Sequence, residues 1–288
     1  MRTGEKTWKF WLPVALTVLG MIIALVQWVR TSQTAVDAQR AVDRAKDEQL
    51  ASAPALLAQV TPFALDAGTW VFRDDLTPAQ AAAIEGELVL DEHRHPDPVR
   101  PEFEALAQTS GGTRVNPTYK PNEPNLCVGS THVKVTLTGN REQKVQLVDV
   151  RAKVLAKEKP PRGTLLFGPP QGGGTLDEVY LDLDTSSEPR AEVRGDDGLR
   201  PYLDVNFRYL EKGEPLVLDV LAIARDHQYD WELAVDVRYD GKSETVSVRP
   251  GGGSSGDPFR TLGWTDEARF GTVYDFDFFN RRFAPRVG

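Results

Sequence analysis

The sequence predicts a mainly β fold: an N-terminal transmembrane helix and helical stalk, then an antiparallel Ig-like β-sandwich with one or two short helices. Three observations carry this. An uncharged apolar run lies near the N-terminus. Beyond residue 130, short segments alternate apolar and polar residues with period two. Turn signals separate them, with no helical pattern between, which favours antiparallel pairing over a parallel sheet.

The totals exclude some classes. Of 288 residues, 26% are charged and 40% hydrophobic, as in folded chains rather than disordered ones. The net charge of −8 argues against nucleic acid as a partner, because phosphates need a basic surface. The single cysteine, Cys127, rules out an intramolecular disulfide. A soluble part of this size buries enough core without one.

Residues 10–29 (FWLPVALTVLGMIIALVQWV) carry no charge. At about 1.5 Å per residue they span roughly 30 Å, the thickness of a hydrocarbon core. Pro13 falls in the first turn, where its missing N–H costs nothing. Trp8, Trp11 and Trp28 bracket the run as interfacial aromatics do. The run exceeds a cleaved signal's apolar region and no clean small-residue cleavage site follows, so it reads as an uncleaved signal anchor. Lys and Arg are denser before it (Arg2, Lys6, Lys9) than after it. The positive-inside rule then leaves residues 1–9 in the cytoplasm and the C-terminal domain outside the plasma membrane.

Residues 30–53 read as a helical stalk with a narrow stripe of small residues at Ala35, Ala38, Val42 and Ala45. Residues 54–129 read as a mixed strand and helix segment packed on the sandwich. Within it, Thr77, Pro78 and Gln80 form a capping box that starts a helix over residues 78–88. A second short helix follows Pro101, and proline-rich residues 111–124 read as a loop. The sandwich spans residues 130–250, with strands around Val133, Val145, Leu165, Val179, residues 203–209, Leu218, Trp231 and Val246. Asp240 followed by Gly241 is the signal of a type I′ hairpin. Residues 251–288 read as a flexible GGGSSG linker and an aromatic tail.

The stretch TGNREQKVQLVDVRAKVLAKEKPPRGTLLFGPPQGGG, followed by VYLDLDT, resembles uncharacterised single-pass membrane proteins of actinobacteria. The recurring pieces are GNR before a strand, GTLLFGPP and the LDLD strand. The resemblance covers residues 133–248 and the anchor. It implies a short anchor ahead of a β-sandwich and carries no assigned activity, cofactor or catalytic residue.

Few residues suggest chemistry. His93 and His95, beside Asp91, Glu92 and Asp97, are candidate metal ligands, yet no third ligand is specified and a surface loop has the same composition. Glu178, Tyr180, Asp182 and Asp184 alternate along one strand, a pattern that suits Ca²⁺ or acid–base work but equally a solvated face. Cys127 lacks an activating context. No catalytic residue or cofactor is assigned. In the tail, Tyr274, Phe276 and Phe278 alternate with Asp275 and Asp277, an aromatic edge that either docks on a partner by strand addition or folds back on its own sandwich.

The expected function is therefore a membrane-anchored, non-enzymatic β-sandwich that binds or scaffolds at the cell envelope. Its partners are the lipid bilayer through residues 10–29 and an envelope protein or wall polymer. An envelope hydrolase with unidentified carboxylates and a cytoplasm-facing regulatory domain are the alternatives. Protease added to wall-stripped cells with an intact membrane is expected to remove a tag placed after Gly288. Survival of the tag until lysis would put the domain in the cytoplasm.

Overall fold

Alternation sets the architecture, because each strand must bury one face and pair both edges. A computed structural model of the chain describes residues 53–62, 68–91, 99–168, 178–264 and 267–286. The expected transmembrane helix and nearly all of the stalk, with His93 and His95, lie outside the described residues. Among the described residues no helix is long and apolar enough to cross a membrane.

The first half contains β1 (Leu56–Pro62), β2 (Thr69–Phe72), α1 (Pro78–Gly86), α2 (Pro101–Thr109), β3 (Gly112–Lys120), β4 (Glu123–Gly139), β5 (Val145–Glu158) and β6 (Thr164–Phe167). Next come β7 (Glu178–Asp182), β8 (Glu192–Gly195), β9 (Gly198–Pro201), α3 (Tyr202–Val205), β10 (Tyr209–Leu210), β11 (Pro215–Ala224) and β12 (Gln228–Tyr239). The chain continues with β13 (Lys242–Val248), β14 (Phe259–Leu262), a 3-10 turn (Glu267–Arg269), β15 (Thr272–Asp277) and β16 (Arg282–Pro285).

Two sheets form. The larger runs β16-β15-β6-β2-β3-β4-β11-β7-β8-β9, with β1 also on β4; the smaller runs β10-β5-β12-β13, with β14 also on β12. The long strands β4 and β12 are the axes. β11 pairs one edge of β4 through residues 129–138, while β3 and β1 lie in succession along the other. β5 pairs one edge of β12, and β14 and β13 share the other. Apolar residues of both sheets face each other in the main core: Val133, Val135 and Leu137 of β4, Val220 of β11, Trp231 and Val235 of β12. Gly129 lets β14 cross against β4, since a side chain there would overlap the Leu262 carbonyl. The result is mainly β and sandwich-like.

Several expectations need correction. The sheets are not purely antiparallel: β7 runs parallel to β11, and β15 parallel to β6. Residues 112–120 are a strand, not a loop. Pro117 is tolerated in β3 because β2 pairs only residues 112–115 of that strand, leaving the proline's stretch less demanding of donors. Residues 203–209 are not one strand: 203–205 belong to the helical turn α3, 206–208 are irregular, and Tyr209 opens the short β10. Residues 251–256 form a pinned turn rather than a loose tether. Gly252 has φ +86°, Arg249 N–H donates to Gly253 O, and Arg249 Nη1 donates to Gly256 O. The capping box at Thr77 is present, and Asp240 and Gly241 both adopt the positive φ of a type I′ turn.

The tail folds back. β15 lies between β6 and β16, and Tyr274 and Phe276 sit 6% exposed in a second core with Trp70, Phe72, Phe103 and Phe283. Phe103 meets Trp70 edge-on at 5.8 Å between ring centroids. Strand addition to a partner through Tyr274 and Phe276 is therefore corrected, because covering α1 and α2 already buries that aromatic edge. Phe278, at the β15–β16 turn, is 53% exposed, and Phe279 beside it is 98% exposed.

The outer face of the smaller sheet is held by charge. Asp236 lies directly opposite Asp149, a like-charge pairing that costs stability on its own. Arg151 bridges both, with an ion pair to each. Glu232 is buried, which raises its carboxyl pKa, but hydrogen bonds from Arg249 and Ser247 outweigh this and hold it below the usual range. Phe276→Ala is expected to lose about 3–5 kcal/mol of stability in urea unfolding, whereas Phe279→Ala stays within about 0.5 kcal/mol. Equal, small effects would mean that the tail contributes no core.

Candidate functional site

Two polar constellations stand out, at different places on the larger sheet. The first lies on its outer face, where even-numbered residues of β4 project away from the main core. His132 on β4, Asp219 on β11, and Glu178 and Tyr180 on β7 meet there. Asp219 sits directly opposite Glu178 in the parallel ladder. His132 Nε2 lies 2.7 Å from Asp219 Oδ1 and 3.6 Å from Glu178 Oε1, so one imidazole spans both carboxylates. Tyr180 Oη donates to Glu178 Oε2 at 2.6 Å. Burial, and then that hydrogen bond, hold the Tyr180 hydroxyl well above the ordinary phenol range.

The four residues Glu178, Tyr180, Asp182 and Asp184 do not act as one solvated face. Tyr180 joins a small apolar cluster with Leu221, Ile223 and Val128, which covers the strand. Asp182 pairs with Lys120 at 3.4 Å. β7 ends at Asp182, and the turn after it carries Asp184 toward the second constellation. Alternation alone did not show this, because the covering residues come from β4, β9 and β11.

The second constellation is a basic cleft of about 590 Å³ where several connections converge. Arg73 follows β2; Lys159, Pro160, Pro161 and Arg162 join β5 to β6; Asp226 and His227 form the β11–β12 turn; Arg269 ends the 3-10 turn. A cavity of about 10 Å³ shares its Pro160, Pro161, Arg162 and Arg269 lining and is also lined by Arg225, Trp264 and Phe270. Backbone hydrogen bonds pin these loops. Gly163 N–H donates to Phe72 O, Gly271 N–H to Gly163 O, and Gly263 N–H to His227 O. A side chain at Gly263 would collide with the His227 carbonyl and the Arg225 backbone, so this approach needs glycine.

Asp184 organises the floor. Its buried carboxylate accepts from Arg225 N–H at 2.6 Å and from Tyr229 Oη at 2.7 Å. Arg225 Nε and His227 Nδ1 lie 3.7 and 3.9 Å from it, beyond hydrogen-bond reach. Around the cleft, Arg225 Nε, His227 Nδ1 and the indole N–H of Trp264 are buried without a hydrogen-bond partner, as is the indole N–H of Trp70 in the second core. Trp264 is 4% exposed and packs edge-on against Phe167 at 5.6 Å. Lone Arg and His residues in turns gave no sequence signal for this site; the Pro-Pro-Arg-Gly run was its only local mark.

Cys127 is half-buried behind this region. Burial, and then Glu267, push its thiol up to about 12, which suits an inert residue rather than a nucleophile. Among the described residues no group of three or more His, Cys, Asp or Glu side chains is placed to hold a metal ion.

No family model matches the chain, and no curated protein or solved structure matches it.

Since only thiolate reacts with iodoacetamide, Cys127 is expected to alkylate at pH 8 far more slowly than a free thiol of pKa about 8.5, and to catch up once the chain is unfolded. Mass spectrometry reads this; equal rates in the folded and unfolded chain would overturn it.

Proposed function

We propose that the chain is a membrane-anchored, non-enzymatic binding module of the cell envelope, and that its ligand docks in the basic cleft. The observation that carries this reading is the ring of basic side chains around that cleft, on a protein whose overall charge is negative. Pre-formed concavities with a few convergent polar groups are the ordinary form of a ligand site. Pinned loops favour binding because little conformational freedom remains to be lost. The uncharged segment at residues 10–29 and the likeness to actinobacterial single-pass proteins support placement at the membrane, with the soluble part facing a wall polymer or envelope protein.

An envelope hydrolase is the second reading, favoured by the His132–Asp219 pair and its link to Glu178 and Tyr180. An imidazole held by carboxylates is suited to moving a proton. The first reading is preferred because these groups are engaged with one another on a sheet face, whereas the cleft keeps buried donors unengaged. Detergent-solubilised full chain is expected to co-sediment with purified wall material. Retention should fall at least tenfold in an Arg73→Glu, Arg162→Glu double variant, while His132→Ala leaves it unchanged. Hydrolysis of that material, lost in His132→Ala, would favour the enzyme instead.

A further inference from the structure

We propose that the basic cleft is a phosphate-group site, with one phosphate oxygen directed to Trp264 Nε1 and Arg225 Nε. This rests on the binding-module reading and names the chemistry of its ligand. Charge is the first ground. Five cations, Arg73, Lys159, Arg162, Arg225 and Arg269, face the cleft or its inner cavity, against Asp226 on the rim and Asp184 in the floor. Arg269 Nη1 lies 3.9 Å from Asp226 Oδ1, so one rim cation is partly balanced. A single carboxylate would still leave a surplus of positive charge. A phosphate ester of about −1.5 to −2 charge with three acceptor oxygens offsets more of that surplus, and engages more of the donors, than a carboxylate does.

The second ground is independent of charge. Trp264 is more than nine-tenths buried, lines the inner cavity, and has an indole N–H with no partner among the described residues. Arg225 Nε, on the same cavity, is also buried without a hydrogen bond, although its side chain is one-third exposed and pairs with Asp184 at 3.7 Å. Buried donors are ordinarily satisfied, so two on one small cavity point to an acceptor. The cavity's volume of about 10 Å³ is on the scale of one oxygen atom rather than a whole molecule. A tetrahedral oxyanion fits this arrangement, since one oxygen enters while the others stay among the rim guanidinium groups. Arginine forks are suited to those outer oxygens. Pro160 and Pro161 keep the Lys159–Arg162 wall extended before any ligand arrives.

The test is titration of the detergent-solubilised full chain with inorganic phosphate and pyrophosphate by calorimetry. Acetate is the competing anion, and phosphatidylglycerol vesicles are the lipid arm. Saturable phosphate or pyrophosphate binding is expected, weakened at least tenfold by Arg162→Gln and by Arg225→Gln. Trp264→Phe, which removes the N–H and keeps a ring, should weaken it about threefold or more. Lys144→Gln, at the opposite end of β5, should leave it unchanged. Arg162 is exposed, so its substitution spares the fold even if Trp264→Phe does not. Vesicle binding lost in the same variants, without binding of the soluble phosphates, would keep the phosphate class and assign its source to a lipid headgroup. Equal affinity for acetate, or equal weakening by Lys144→Gln, would overturn the site. Retention on wall material without binding of any phosphate probe would overturn it too, while leaving the binding-module reading intact.

Discussion

Everything in the described part hangs on two long strands, β4 and β12, whose inner faces close on each other. Each must satisfy hydrogen bonds along both edges over its whole length, and an unpaired buried edge is costly. Each does so with one long partner and two short partners in succession. That arrangement explains why the domain recruits so many brief strands. It also explains why β14 must pass close to β4 at Gly129, where no side chain intervenes.

The same constraint ties the C-terminal tail into the fold. β14 completes the β12 edge, so the chain after residue 256 is committed to the domain before it reaches β15. β15 then extends the larger sheet beside β6, and its aromatic residues close a second core under α1 and α2. Residues on β2 and β6 face opposite ways along this seam. Trp70 and Leu166 enter the second core, while Val71 and Leu165 pack with Trp264 and Phe270. The floor of the basic cleft is thus built on the back of the second core.

Charge is used in two distinct ways. On the smaller sheet, Arg151 neutralises the Asp149–Asp236 pairing that the register imposes, and Glu232 is held by Ser247 and Arg249. At the cleft, cations from four separate connections face one space, and the buried Asp184 meets only part of their donor capacity. The first pattern stabilises the sheet; the second leaves donors for a ligand.

The sequence by itself determined whatever depends on neighbours along the chain. Period-two alternation marked β4, β5, β7, β11, β12 and β13. Thr77, Pro78 and Gln80 marked α1, and Asp240 with Gly241 marked a hairpin. These signals are short-range, so they can be read without the fold. Only the tertiary structure decided what depends on distant partners. It made β7 and β15 parallel additions, turned residues 112–120 into a strand despite Pro117, and pinned the glycine turn through Arg249. It buried Tyr274 and Phe276, sent Asp184 away from Glu178, and gathered Arg73, Arg162, Arg225 and Arg269 from separate loops. None of those residues carries a local pattern that names its partner, because pairing between distant segments is fixed by the shared core and not by sequence spacing.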